Sequence, residues 1–198
     1  DIRASMQEEK TPDVNLFSWS NSHWTDYGGW VGWSHIAPCV NAMYPDSPEL
    51  RVPAISGYEV VGDYNEWAPF DVPSPGADWA VPLFAEPLQD VTYTDKDGAT
   101  KTVPGATVMD ASWLPLQTTV DQSWTGQSAL IIRDSMGGAI SPYWGQAYSP
   151  TWQVGHLYTD FGAWPKYRDL VAQHHPDVVV LQLAERHLIN TPPVGAAY

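Results

Sequence analysis

The sequence predicts an α/β fold built around a central, mainly parallel sheet. Two apolar runs support this prediction, because Ala129–Ile132 and Val178–Leu183 are nearly unbroken, as strands buried on both faces of a parallel sheet are. Between them, residues 164–175 carry apolar side chains at helical spacing, with Pro165 suited to the first turn. A strand, a helix and a second strand in this order form a βαβ unit whose strands lie parallel.

The N-terminal part of the chain leads to a first polar cluster. Val14–Trp19 alternates enough to predict a short strand that ends just before Asn21 and His23. Thr25 is placed to cap a helix that follows. Pro38 is expected to kink or end that helix, because its ring cannot be accommodated in a regular helix interior.

Residues 45–124 are predicted to form an insertion of short strands and loops, because Pro and Gly are frequent there and helical periodicity is lacking. Within it, 91–94 and 100–103 flank a hairpin turn in which Gly98 takes the left-handed position. We expect no catalytic residue in this insertion. Its large aromatic side chains are expected to pack its loops, with a substrate groove as the alternative: Tyr64, Trp67, Phe70, Trp79 and Phe84.

The first apolar run ends at a serine in a predicted strand-to-helix turn. Ser135 follows Asp134, and Gly137 and Gly138 permit a tight bend and the close approach of a substrate. A helix that begins here would direct free N–H groups at an oxyanion, as acyl transfer requires. Ser135 is therefore a candidate nucleophile, and the N–H groups of Ser135 and of Gly137 or Gly138 are candidate oxyanion donors.

Composition narrows the class of protein. A chain of 198 residues suits a single domain, 1–198, with a core large enough to fold without metals, and the lone Cys39 cannot form an internal disulfide. A formal charge of −14 with only nine Lys and Arg argues against nucleic-acid binding, which needs a basic face. No apolar run approaches the roughly 20 residues that span a bilayer.

Among the six histidines, His23 is the best candidate for a proton-transferring residue. It follows a predicted strand end, and Asn21 precedes it as a possible orienting group. A purely structural histidine is the alternative. The other histidines form no recognisable metal-binding set with carboxylates, so neither a metal nor a cofactor is expected: His35, His156, His174, His175 and His187.

Three segments resemble one family. Asn21–Gly28 is similar to the Asp-x-His-Trp segment of the SGNH-hydrolase-like acetyltransferases, exemplified by the periplasmic alginate O-acetyltransferases. Ile131–Met136 resembles their Asp-Ser-Phe nucleophile segment, and 177–186 resembles their closing strand with its Glu-Arg pair. The resemblance covers roughly 16–33 and 128–188, and its motifs occur in the family's order.

The resemblance implies an α/β/α sandwich with a circularly permuted triad, in which the acid and the base precede the serine. Carried over, Ser135 is the nucleophile, His23 is its base, and Asn21 occupies the position of the orienting Asp. Trp24 and Arg186, which lie in the matched motifs, are candidate substrate-binding residues. The family transfers acetyl groups to hydroxyls of exported polysaccharides outside the cytoplasm, receives them through a membrane-bound O-acyltransferase partner and needs no metal.

The chain departs from the family at two of the matched positions. Met136 replaces an aromatic residue, and Asn21 replaces the Asp whose charge stabilises the imidazolium. Three explanations remain open for Asn21. The first is that Asn21 is an introduced substitution, and the second is that it marks a weak or inactive homologue. The third is that another carboxylate orients His23, with Asp26 and Asp134 as candidates.

The main functional hypothesis is an extracytoplasmic O-acetyltransferase that acts on a polysaccharide or cell-envelope glycan through a Ser135 acyl-enzyme. A carbohydrate acetylesterase is the first alternative, because transfer and hydrolysis share the same acyl-enzyme. A catalytically silent glycan-binding or assembly module of the same fold is the second. Asn21 and the eleven Trp residues are both compatible with such a module.

Overall fold

A computed structural model of the chain describes residues 3–9, 14–62, 64–74, 76–156 and 167–184. The chain divides into two compact units, 1–88 and 89–198. The expectation of one domain over 1–198 stays a prediction.

The first unit contains α1 Arg3–Glu8, α2 Asp26–Met43 and an antiparallel pair of strands, β1 Ile55–Val61 and β2 Trp79–Phe84. The predicted cap of α2 is confirmed, because the Thr25 hydroxyl accepts a hydrogen bond from the Gly28 N–H at 3.1 Å. Of the two outcomes expected at Pro38, an end of the helix is wrong, since α2 continues to Met43, and a kink stays a prediction. Asn41 holds this last part of the helix, because its side chain both donates to and accepts from the Leu50 backbone at 2.9 Å.

Residues 14–19 do not form the predicted strand. The chain reverses between Phe17 and Trp24, which make a single antiparallel bridge. The Thr25 N–H donates to the Leu16 carbonyl at 2.9 Å, so the reversal is fixed to the start of α2. Because the pairing partner is the next stretch of the same chain, the segment closes a local loop instead of joining a sheet. His23 lies on the returning arm of this loop.

The second unit contains a six-stranded mixed sheet with the strand order β4-β3-β5-β7-β6-β8. Its elements are β3 Val91–Thr94, β4 Thr100–Val103, β5 Leu116–Thr119, β6 Ala129–Arg133, α3 Ser141–Ala147, β7 Thr151–Gly155, α4 Tyr167–His174 and β8 Val178–Gln182. Strands β3 and β4 confirm the predicted hairpin, and Gly98 has a left-handed φ of 82°. The segment predicted to be an insertion therefore supplies three strands of this sheet.

The pairing of these strands corrects the expectation of a mainly parallel sheet. Among the described strands, β3 lies antiparallel to β4 and β5, and β5 lies antiparallel to β7. Only β6 pairs in parallel, with β7 on one side and β8 on the other. The prediction rested on the two apolar runs, which form the parallel part. The short Thr-containing strands of 91–119 add the antiparallel part.

Strand β6 confirms the prediction of a fully buried strand, since all five of its residues are buried. Strand β8 does not, because the side chains of Val179 and Leu181 are 49% and 61% exposed. Valine favours strands with one covered face as well as strands with two, so the apolar run did not distinguish these cases. The helix predicted over 164–175 is described from Tyr167 onward as α4, and its expected first turn lies outside the described residues.

Strand β7 is an element that the sequence analysis missed. It lies parallel to β6 on the side opposite β8, so the first of these three strands along the chain is the middle one in the sheet. Doubly wound sheets with this local order bind ligands at the carboxyl ends of the first and third strands, where the order reverses. Ser135 follows β6 after one residue, and it is therefore placed where such sheets bind ligands.

Candidate active site

The loop between Phe17 and Trp24 fixes the orientation of the His23 imidazole. Nδ1 of His23 lies 2.7 Å from Oδ1 of Asn21, and the His23 backbone N–H donates to the same oxygen at 3.0 Å. Asn21 therefore contacts the imidazole as the orienting side chain of a triad does. This is the role in which the family resemblance places it.

The direction of the Asn21 amide determines which imidazole nitrogen carries the proton. Nδ2 of Asn21 donates to the Tyr64 carbonyl oxygen at 3.0 Å. A flipped amide would set two oxygens against each other at Tyr64 and two N–H groups against each other at His23, so the hydrogen-bond network assigns the orientation. Oδ1 then accepts from Nδ1–H of His23. Nε2 is left as the basic nitrogen, which is the tautomer that a serine hydrolase needs.

A carboxylate that the sequence analysis missed also faces His23. Oε2 of Glu66 lies 3.9 Å from Nδ1 of His23, while Oε1 accepts from the Ser22 backbone N–H at 2.6 Å. Glu66 lies in the segment for which no catalytic residue was expected. Its contact with the loop depends on how residues 64–66 fold back, and no motif or spacing in the sequence indicates this.

The two carboxylates considered in the sequence analysis have other contacts. Asp26 hydrogen-bonds the Trp79 side chain, and burial raises its pKa to about 6 although this bond opposes the rise. Asp134 is buried, and its Oδ1 accepts from the Met136 N–H at 3.0 Å. Its Oδ2 accepts from the Ala184 N–H at 2.5 Å. Asp134 therefore caps the turn that begins at Ser135 and ties it to the residues that follow β8.

Glycine and tryptophan bring the start of α2 against the loop. A Cβ on Gly28 would lie 2.1 Å from the Leu16 carbonyl oxygen, and a Cβ on Gly32 would lie 2.7 Å from the Trp24 ring. Trp24 is only 6% exposed, and its ring also stacks on Phe17 at a centroid distance of 6.3 Å. This position is that of a packing residue that supports the loop. The expected substrate-binding role of Trp24 stays a prediction.

Ser135 is the first residue of a short 3₁₀ turn, Ser135–Gly138, and it is half-buried. The predicted placement at the end of a strand is thereby confirmed, but a short 3₁₀ turn follows where a helix was expected, and α3 begins only at Ser141. The Gly137 N–H donates to the Asp134 carbonyl at 3.2 Å and closes the turn. Gly138 lies inside the same 3₁₀ turn, in which its N–H pairs with the Ser135 carbonyl three residues earlier. Of the oxyanion donors considered, the Ser135 N–H therefore remains the candidate, because the Gly137 and Gly138 N–H groups are already engaged.

The buried Arg133 packs against the turn that begins at Ser135. Arg133 donates to Oε1 of Gln153 at 2.8 Å and to the Met109 carbonyl at 2.6 Å. Burial lowers the pKa of Arg133 to about 10, although Asp110 and Asp134 oppose this effect. A Cβ on Gly137 would lie 2.6 Å from Cδ of Arg133, so the packing of this arginine explains the glycine. The arginine was not recognised from the sequence.

The two halves of the expected triad lie in different units, with Asn21 and His23 in the first and Ser135 in the second. Their pairing stays a prediction. Arg186 and its neighbour Glu185 lie outside the described residues. Among the described residues, no group of three or more His, Cys, Asp or Glu side chains could hold a metal ion. None of the helices in the described part of the chain is long and apolar enough to cross a membrane.

Fold and site together define a mixed α/β protein with a serine at the end of a central buried strand and an oriented histidine on a loop. No protein-family model matches the chain, and no curated protein matches its sequence. Solved structures do match its fold. PatB1 of Bacillus cereus, in a structure with a sulfonyl adduct, has a TM-score of 0.66 at 11% identity, covering 95% of this chain and 68% of that one.

A DHHW family protein from Eubacterium siraeum also has a TM-score of 0.66 at 11% identity, covering 96% of this chain and 65% of that one. The O-acetyltransferase domain of Pseudomonas putida AlgJ gives a TM-score of 0.47 at 13% identity, covering 100% of this chain and 63% of that one, which is too distant to support an argument. The chain therefore has the fold of PatB1 and the DHHW family protein, and it spans about two thirds of their length.

Proposed function

We propose that this protein is an extracytoplasmic O-acetyltransferase that moves acetyl groups onto hydroxyls of a glycan through a serine acyl-enzyme. The observation that carries the proposal is the orientation of His23. Its Nδ1 is hydrogen-bonded to Asn21, which leaves Nε2 as the base. A fixed tautomer of this kind is a requirement of general-base catalysis and is of no evident use to a structural loop histidine.

The proposed reaction uses only side-chain and backbone groups. Oγ of Ser135 attacks the acetyl carbonyl of the donor and gives its proton to Nε2 of His23. The Ser135 N–H stabilises the oxyanion, and the donor leaves with the proton from His23. A sugar hydroxyl then gives its proton to His23 and attacks the acetyl-serine. His23 returns this proton to Oγ of Ser135, so the acetyl ester of the sugar and free Ser135 are the products.

A glycan acceptor is supported by the aromatic residues near Glu66. Trp67 and Phe70 are 41% and 74% exposed, with ring centroids 6.5 Å apart, and Tyr64 is exposed as well. The exposure of Trp67 and Phe70 departs from the expectation that these residues pack the loops, whereas the Tyr64 ring does pack, edge-on against Trp79 at a centroid distance of 5.0 Å. Exposed aromatic rings offer an apolar face and are enriched where proteins bind ligands. Transfer through a membrane-bound O-acyltransferase partner, outside the cytoplasm, is the corresponding proposal for the acetyl donor, and it rests on the family resemblance.

The similar structures support the same class of chemistry. One PatB1 structure carries a sulfonyl adduct. The four letters of the DHHW name, read as one-letter residue codes, agree with Asn21–Trp24 of this chain at their last two positions. The adduct supports a reactive nucleophile in a protein of this fold, and the shared letters support the assignment of His23 to the catalytic loop.

The proposal is tested with a small activated acetyl ester and with a serine-directed sulfonyl fluoride. Ser135→Ala is expected to abolish both acetate release and labelling. Ser112→Ala is the matched control, because Ser112 is an exposed serine on another 3₁₀ turn of the same unit. Unchanged turnover in Ser135→Ala would exclude the mechanism.

Two other functions have distinct outcomes in the same assay. Acetate release at the same rate with and without an oligosaccharide acceptor, and no acetylated product, indicates an acetylesterase. Glycan binding without any labelling of Ser135 indicates a silent glycan-binding or assembly module.

A further inference from the structure

We infer that Glu66 supplies the negative charge that a triad acid normally provides and that Asn21 lacks. The inference rests on the proposed function, because it concerns how His23 carries a positive charge during acyl transfer. Asn21 and Glu66 would then divide one role. Asn21 fixes the tautomer by accepting from Nδ1–H, and Glu66 stabilises the imidazolium.

The distance between the groups allows this effect. Oε2 of Glu66 lies 3.9 Å from Nδ1 of His23, and the two side chains are 28% and 30% exposed. Asn21 occupies the direct hydrogen-bonding position at 2.7 Å, so Glu66 acts across a short gap and not through a bond. An opposite charge at this distance favours the charged form of an imidazole over its neutral form.

Three hydrogen bonds hold the carboxylate in this place. Oε1 of Glu66 accepts from the Ser22 N–H at 2.6 Å, and the Glu66 N–H donates to the Ser20 carbonyl at 2.9 Å. Asn21 in turn donates to the Tyr64 carbonyl at 3.0 Å. Residues 64–66 are thus fixed to the loop that carries His23. Glu66 therefore differs from an ordinary surface carboxylate, which loses conformational entropy when it forms an ion pair.

A purely structural role for Glu66 makes a different prediction. As an anchor, Glu66 would matter because Oε1 accepts from the Ser22 N–H, and its charge would be irrelevant. Glu66→Gln keeps an oxygen at this position but removes the charge. The loop is therefore expected to keep its geometry, while the imidazolium loses its nearby anion.

The test is a double-mutant cycle between Glu66→Gln and Asn21→Asp, measured as kcat for the activated acetyl ester. In the background with Asn21, Glu66→Gln is expected to lower kcat by about ten- to a hundredfold with little change in KM. In the Asn21→Asp background, where a carboxylate contacts Nδ1 directly, the same change is expected to cost less than about threefold. Glu59→Gln on β1 is the matched control and is expected to leave kcat unchanged, because Glu59 is an exposed glutamate with no ion pair in the described residues.

An equal loss of kcat in both backgrounds would show that the loss does not depend on which side chain contacts Nδ1 of His23. No loss in either background would show that Glu66 is only an anchor whose charge is irrelevant, so both results would overturn the inference. Thermal unfolding of each variant identifies a loss of activity that comes from misfolding, and Glu66→Asp, which keeps the charge, is then expected to retain more activity than Glu66→Gln. If the unsubstituted chain has no Ser135-dependent turnover, the proposed function itself fails and the inference falls with it.

Discussion

Asp26 at the start of α2 is expected to make the protein less stable as the pH rises. Burial raises the pKa of this carboxyl from 3.8 to about 6, so the folded state holds its proton more tightly than the unfolded state does. The stabilising contribution of protonated Asp26 is therefore complete below pH 4 and is lost as the pH rises through about 6. Above that pH, an ionised carboxylate must be kept partly buried.

The magnitude follows from the difference between the two pKa values. This pKa difference corresponds to about 3 kcal/mol in the free energy of unfolding, and the residual exposure of the side chain reduces the expected effect to about 2 kcal/mol. Asp26→Asn removes the ionisation but retains an oxygen that can accept the hydrogen bond from Trp79. At pH 8 the variant is expected to be more stable than the unsubstituted chain by about 2 kcal/mol, and at pH 3.5 the two are expected to be equally stable.

Urea unfolding at several pH values measures this difference directly. Plotted against pH, the free energies of unfolding of Asp26→Asn and of the unsubstituted chain should separate between pH 4 and pH 7 and then run parallel. A difference in free energy that is the same at every pH would contradict this prediction, because it would show that ionisation of Asp26 is not its source. Such a result would reopen the position of this carboxylate as a candidate partner of His23.

Two further predictions concern the loop that carries His23. Asn21→Asp is expected to raise kcat about tenfold, less than the roughly 10⁴ that separates Asn from Asp in a serine protease. The gain is smaller because Asn21 already fixes the tautomer and because one oxygen of the new carboxylate would face the Tyr64 carbonyl. Steady-state kinetics on the acetyl ester checks this prediction, and a fall in kcat would count against Asn21 as the acid position. Gly28→Ala is expected to destabilise the protein by at least about 2 kcal/mol, since the new Cβ would lie 2.1 Å from the Leu16 carbonyl oxygen. Chemical denaturation checks this prediction. Gly57→Ala is a suitable control because its site is open, whereas Gly76→Ala is unsuitable because Gly76 has a positive φ.

Local chemistry allowed some elements to be predicted from the sequence. Thr25 caps α2 through its own hydroxyl, and Gly98 takes the left-handed position that its hairpin requires. Both features depend on residues that are neighbours in the sequence, so the sequence is sufficient to predict them. The buried run of β6 likewise placed Ser135 at a strand end. Pro38 failed as a helix terminator, because the contact between Asn41 and Leu50 holds the helix beyond it.

Contacts between distant segments could not be predicted in this way. The antiparallel pairing of β5 with β7 depends on how two polar strands meet, and neither strand carries an apolar run that reveals it. Glu66 approaches His23 only because 64–66 hydrogen-bonds to the loop around Asn21. The family resemblance proposed three positions for a triad, whereas the contact between Glu66 and His23 emerged only from the folded arrangement.

In the proposed mechanism Ser135 becomes acetylated and His23 is the base. Mass-spectrometric localisation of the acetyl group on the protein, after a rapid acid quench during turnover of the acetyl ester, measures this step directly. Acetyl is expected on Ser135 in the unsubstituted chain and is expected to be lost in His23→Ala. Acetyl on another residue, or equal acetylation of Ser135 without His23, would contradict this mechanism.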